Sequence, residues 1–381
     1  MNKNLLSFGS SLRAAFGKTW SMLLAVALTA VPSLQAQMGA ISWGPSQDYD
    51  RGYNPSLAGS NEGFMVEVHN GQAGPGPMWY HVGQASLGWP SPSVVWGPYQ
   101  HYDWGYNPSV AGCLNSNIIV EVHNGQGGPG PMWYHVGSIQ GDTPGSAFIA
   151  WGPPKEYDQG WNPKVALLCY YSQLTVVEVH NGWFSPGDRD PSMTMYYHVG
   201  VINDDLQTIT WGAAIPYDIG WDPSVALAGS TVVEVHNNAS GTPGSMWYHV
   251  GSLNSNSTIS WGPPYAYDNG WEPKVAAVVS NGQDDLSQLG STPLVFEVHN
   301  GQGNFGPMWY HLGLVESSSK INWGPPLEYD QGWNPSITWL EMSDEQFLGA
   351  VEVHNGQAGF GPMWSHGDLW IPPGGFPVTG N

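Results

Sequence analysis

Six tandem repeats, four short β-prone runs in each and a composition crowded with Gly (51), Pro (32) and Trp (21) predict an all-β protein. The expected architecture is a six-bladed β-propeller of four-stranded antiparallel blades, closed by an N-terminal strand. Repeats of this size cannot bury both faces alone, and stacking neighbours into a ring removes the exposed ends. A β-solenoid is the structural alternative, although solenoid repeats are usually shorter.

The repeat mark is a Trp-Gly pair at Trp43, Trp96, Trp151, Trp211, Trp261 and Trp323. Each mark leads into a "YDxGxxP" stretch, from "YDRGYNP" at 49–55 to "YDQGWNP" at 329–335. A small apolar run of the "SVAL" kind follows, then "VEVHN", "MWYHVG" and an "IxWG" run into the next mark. The first, second, third and fourth strands are assigned to these four runs, because Val, Ile, Tyr and Trp fit a pleated surface. The intervening Gly, Pro, Asn and Asp predict turns, "YDxGxxP" among them, with Gly52 supplying a positive φ. The sixth repeat has no obvious fourth strand. "ISWG" at 41–44 is expected to supply it, in preference to "LWIPPGG" at 369–375.

Residues 1–36 read as a cleavable secretory signal. Lys3, Arg13 and Lys18 precede the apolar run "WSMLLAVALTAV", and Ala36 offers a small residue for cleavage. A secreted or periplasmic location follows, with residues 41–381 forming one domain. Losing the leader leaves six basic residues against 30 acidic ones. Such a surface repels phosphate backbones and anionic lipid, so nucleic acid and membrane insertion are excluded as partners. The two cysteines, Cys113 and Cys169, sit at near-equivalent places in adjacent repeats, as a disulfide or as two small buried thiols.

Alternation along "VEVHN" and "MWYHVG" puts Glu67, His69, Trp79 and His81 on one face if the two strands pair. Two imidazoles and a carboxylate resemble a facial metal triad or an acid–base pair. The same set returns in all six repeats, and a buried polar network between strands accounts for it without a metal. No GxSxG, HExxH or phosphate-binding glycine loop is present, and an enzyme needs one asymmetric site, so the expectation is a binding protein without enzymatic activity.

The aromatic of the "YDxGxxP" stretch is Tyr53, Tyr106, Trp161, Trp221, Trp271 or Trp333. Each ring either plugs a gap between blades or stays open to stack on a sugar, with Asp50 and Asn54 as hydrogen-bonding neighbours. The alternative for Asp50 and Asn54 is to join carbonyls around calcium, the one cofactor left open. Loops on a repeated scaffold carry specificity, which directs attention to Trp183 in "NGWFSPGDRDPSMTM" and to the inserts at 280–293 and 341–349.

The run "PSVA…VVEVHN…MWYHVG…ISWGPP" resembles tandem repeats of secreted bacterial proteins, some joined to phospholipase or other hydrolase domains. This likeness covers residues 41 to about 370. In strand order and aromatic placement the chain is also similar to bacterial seven-bladed propeller lectins, departing from them in having six repeats. The resemblance implies lectin-like, multivalent recognition of glycans on cell-surface or matrix polymers. The alternatives are a structural propeller that engages another protein, a hydrolase with a site in the central channel, and a metal-binding propeller.

Overall fold

The computed structural model describes residues 40–371, apart from 73–74, 87–92, 128, 171–172, 183–192, 240–243, 280–291, 303–305, 342–347 and 358–360. The leader, Trp183 with its loop and most of the two inserts lie outside the described residues.

The described chain is all-β, with 24 strands and a single short 3-10 turn at Asn61–Gly63. Within the first repeat, residues 53–59 pair with Phe64–Asn70, which pairs with Gly76–Ser86. Gly76–Ser86 then pairs with Ser93–Trp96 and, further along its length, with the first half of Gln100–Cys113. The second half of Gln100–Cys113 pairs with Ser116–Asn124 and so begins the second repeat from the inside. The same succession runs on to Leu327–Glu341, Leu348–Asn355 and Gly361–Ile371. Ala40–Trp43 pairs with Gly361–Ile371, Trp43 opposite Asp368, and Gly44 donates to the Gly367 carbonyl at 3.2 Å. "ISWG" therefore meets the sixth repeat, while "LWI" continues that repeat's third strand.

Two expectations need correction. The strands are not partitioned into six separate four-stranded sheets; hydrogen bonding runs through one 24-stranded assembly. The cause is the "YDxGxxP" stretch, which is extended strand and not a turn. It carries the chain from the outer edge of one repeat to the inner edge of the next. Its turn-like residues make a bulge, with the register slipping between Tyr53 and Ser56 and likewise between Trp161 and Lys164. The left-handed residue is Asn54 (φ 58°), repeated at Asn107, Asn162, Asp222, Glu272 and Asn334. Gly52 has a different role: a Cβ there would lie 2.5 Å from His69 Cδ2 and 2.9 Å from the Asn70 carbonyl oxygen.

Phe64–Asn70 is buried along its whole length. Val66, Val68, Tyr80 and Val82 pack against Val110 and Ile149 of the following repeats, so each core lies between repeats. The Tyr of the third strand bridges outward in the first four repeats: Tyr80 Oη accepts from the Ile149 N–H at 3.0 Å and Tyr134 Oη from the Ile209 N–H at 3.1 Å, with Tyr197 and Tyr248 alike. Asn70 donates to the Gly105 carbonyl, and Asn355 donates to that of Gly52, closing the circuit. Cys113 and Cys169 form a disulfide between the second and third repeats, which resolves the open choice.

Candidate functional site

Two constellations arise from the repeat. The first is the histidine face. The register sets Glu67 opposite His81 and His69 opposite Trp79, the shared face that alternation predicts. His69 Nδ1 meets the Glu67 carboxylate at 3.0 Å, and His81 Nδ1 meets the Gly97 carbonyl at 2.8 Å. His81 Nε2 lies 2.7 Å from Asp50 Oδ2, and His69 Nε2 lies 3.6 Å from the same oxygen. Burial acts to lower the His81 pKa, but the Asp50 hydrogen bond and the Glu67 charge outweigh it and the net shift is upward. In the sixth repeat the same balance carries His366 up to about 9. Burial alone would raise Asp50; its bonds from His81 and the Arg51 N–H win, and its pKa is lowered. The Trp-Gly ring covers each cluster, as where Trp96 stacks on Tyr49 at 5.0 Å between centroids.

The second constellation lies on the axis. The inner segments of all six repeats surround three successive cavities. A wide one of about 550 Å³ is lined by residues such as Leu57, Val110 and Trp339. A narrow waist of about 50 Å³ follows at Ser56, Ser109 and Lys164. A polar mouth of about 130 Å³ lies beyond, at Asn54, Asn107 and Asn162. The left-handed bulge residue of every repeat lines this mouth, and four of the six are Asn, which tolerates that backbone.

At the waist the serines link the repeats. Ser336 Oγ accepts from the Leu57 N–H at 3.0 Å, Ser56 Oγ from the Val110 N–H at 3.1 Å and Ser224 Oγ from the Val275 N–H at 3.3 Å. The third and fifth repeats carry Lys164 and Lys274 in place of that serine. An ammonium cannot accept, so both give up this link. The fourth and fifth repeats carry Asp222 and Glu272 in place of the axial Asn. Four charged groups thus gather at one mouth and break the sixfold pattern.

Lys164 is buried and donates to Asn162 Oδ1 at 2.9 Å, and Asn162 donates to Asp222 Oδ1 at 2.9 Å. Asn54 donates to Asn107 at 2.9 Å, and the Asn334 amide donates to Glu272, 2.9 Å from Oε1, in the orientation its surroundings require. Burial, reinforced by the Lys274 charge, pushes Lys164 down to about 7. Burial, reinforced by Asp222, pushes Glu272 up to about 7. Ionisable groups tuned towards neutrality in a cleft are candidates for a functional site.

Of the residues singled out in the sequence, Tyr53, Tyr106 and Trp161 line this mouth. Trp333, Tyr53, Tyr106 and Trp161 follow one another round the mouth with centroids 5.2, 6.4 and 5.4 Å apart. Trp221 and Trp271 occupy the equivalent places, and all six rings are partly exposed. Asn54 lines the same cavity. Asp50 does not join them; it belongs to the histidine face. Sequence reasoning missed Lys164, Asp222, Glu272 and Lys274. The signal was there in the repeats themselves, as single departures from Ser and Asn at two aligned positions.

No family model matches the chain, and no curated protein matches it either. Solved structures do. A Trypanosoma rangeli sialidase in complex with 2,3-difluorosialic acid, described as a covalent intermediate, superposes with TM-score 0.55 at 11% identity. That match covers 86% of this chain and 59% of the sialidase, so the chain spans less than two thirds of it. The hemagglutinin-neuraminidase of parainfluenza virus 5 superposes with TM-score 0.51 at 10% identity, covering 88% of this chain and 96% of that one. At such identities the likeness shows the fold, an all-β, propeller-like one shared with sialidases. It also corrects the expectation of a protein without enzymatic activity. This architecture is one that enzymes use, and sixfold repetition is compatible with a single asymmetric site, because the axis of this chain holds one.

Proposed function

We propose that the six repeats are six blades of a propeller that acts outside the cytoplasm, after loss of the leader, as a glycan-recognising protein. The observation that carries this reading is the polar mouth: aromatic faces ring a compact set of amides, carboxylates and ammoniums. Sugars present apolar C–H faces and convergent hydroxyls, and a concave site with rings and a few placed polar groups suits both. Tyr53, Tyr106 and Trp161 line this one mouth, so recognition is lectin-like but concentrated in one composite axial site. The disulfide fits an oxidising compartment. Glycan partners also agree with the fold's company, since the sialidase is described in complex with a sialic acid derivative. The test is a glycan array probed with the mature protein, followed by titration calorimetry on the hits with Trp161→Ala. Array binding that Trp161→Ala weakens at least tenfold supports the reading; an array without hits, or one unaffected by the substitution, overturns it.

The tuning of Glu272 to about 7 favours a second reading, in which the bound glycan is also hydrolysed. A carboxyl that keeps its proton near neutrality is suited to protonate a leaving oxygen. Fluorogenic glycosides of the array hits decide it: turnover abolished in Glu272→Gln supports hydrolysis, and absence of turnover by the unaltered protein excludes it.

A further inference from the structure

The histidine face recurs with little variation, and its geometry reaches beyond a network that holds strands together. In every repeat both Nδ1 atoms are committed to acceptors. His69, His123, His180, His236, His299 and His354 bring Nδ1 to a buried Glu carboxylate at 2.9–3.1 Å. His81, His135, His198, His249, His311 and His366 bring Nδ1 to a Gly carbonyl at 2.8–2.9 Å. A carbonyl only accepts, so Nδ1 of the second histidine carries the proton, and the Glu carboxylate holds the first in the same tautomer.

Both Nε2 atoms then face one oxygen. For the second histidine the distance to Asp Oδ2 is 2.6–2.8 Å. For the first it is 3.6–3.9 Å, beyond hydrogen-bonding range. The short contact is a hydrogen bond with a proton between the second Nε2 and the Asp oxygen; an ion that displaces this proton meets three electron-pair donors, two imidazole nitrogens and one carboxylate oxygen. In the first four repeats they lie within 4.8 Å of one another. The two Nε2–Oδ2 distances bracket the edge of about 3.3 Å expected for a tetrahedral site with bonds near 2.0–2.1 Å. Metal-ligating histidines characteristically hand their other N–H to a carboxylate or a backbone carbonyl, and these twelve do so. The Asp of each cluster is 20–28% exposed while both its histidines are buried, so the carboxylate side is the one that faces solvent.

We propose that each repeat holds a divalent first-row transition ion, of the zinc type, between one Asp oxygen and two His Nε2 atoms: Asp50, His69 and His81 in the first repeat and their equivalents in the other five. Imidazole with carboxylate suits such ions better than calcium, which prefers oxygen donors only. This inference is independent of the axial site.

Cobalt(II) is the probe, because a tetrahedral site gives it intense visible absorption that surface carboxylates do not. The mature protein, treated with chelator, dialysed and shown to be folded by circular dichroism, is titrated with Co²⁺ and then with Zn²⁺. The expected result is a visible band that saturates near six equivalents and is bleached by zinc. Asp50→Asn, which keeps the shape and the other five clusters, lowers the stoichiometry by one, and Asp50→Asn with Asp158→Asn lowers it by two. A folded protein that shows no band in hundredfold Co²⁺ excess overturns the proposal. So does a stoichiometry unchanged in the double variant, which would assign the binding to surface carboxylates.

Discussion

Lys164 is an expensive residue for the fold to keep. Its ammonium is almost fully shielded from water, and it occupies the place where four other repeats use a serine to receive a neighbour's N–H. Lys164→Ser should therefore raise stability by about 1 kcal/mol, the scale of one regained hydrogen bond, while weakening glycan binding. Thermal denaturation and calorimetry on one preparation would show both. Trading stability for a charge in this way is common at working sites. The pH dependence has a definite sign. Glu272 has its folded pKa raised to about 7, so its contribution to stability is complete below its ordinary value and disappears as pH rises through about 7. Lys164 is lowered to about 7, so its contribution is complete in alkali and disappears as pH falls towards 7. Glu272→Gln, which cannot ionise, should be more stable than the unaltered protein at pH 8 and nearly equal to it at pH 5. Equal gains at both values would show that Glu272 is not held up.

At the scale of the element, the strands were legible and the connection between repeats was not. Period-2 alternation through "VEVHN" and "MWYHVG" placed Glu67, His69 and His81 on one face, and the observed register agrees. The "YDxGxxP" stretch misled because Gly, Asn and Pro signal a turn, yet the same residues serve a bulge within a long strand. Local composition cannot separate the two; the difference lies in whether partners exist on both sides. The axial cluster was hidden for a related reason. Lys164, Asp222, Glu272 and Lys274 converge only once the inner segments close round an axis, and aligning the repeats marks them as departures without showing that they meet. The bulge also explains its glycine. In Gly52→Ala the new methyl would strike His69 and the Asn70 carbonyl, and overpacking of this kind costs about 1–3 kcal/mol. Urea denaturation would measure that loss, and a neutral outcome would show that the bulge can relax.

The whole molecule depends on two closures of unlike kind. The disulfide ties the second repeat to the third across 56 residues, and a loop of that length stabilises by roughly 2–4 kcal/mol. Cys113→Ser with Cys169→Ser should lower stability by that amount and leave the ring intact. Removing residues 40–43 should do more, because it uncovers the edge of Gly361–Ile371 and the apolar bed that holds Trp43 against Tyr329 at 4.2 Å. Size-exclusion chromatography should then show aggregation, whereas a monomer of unchanged stability would mean that the closing strand contributes nothing.

That strand has a consequence in time. Gly44 waits for a carbonyl 323 positions later in the chain, at Gly367, and no earlier segment offers the same partner. A ribosome delivers residues in order, so a growing chain can stack its first repeats but holds an open seam until Gly361–Ile371 has been made. Folding of this ring cannot finish before synthesis has passed that point. If the chain is exported unfolded, as proposed, the delay is useful: the ring locks only after Gly361–Ile371 has come through.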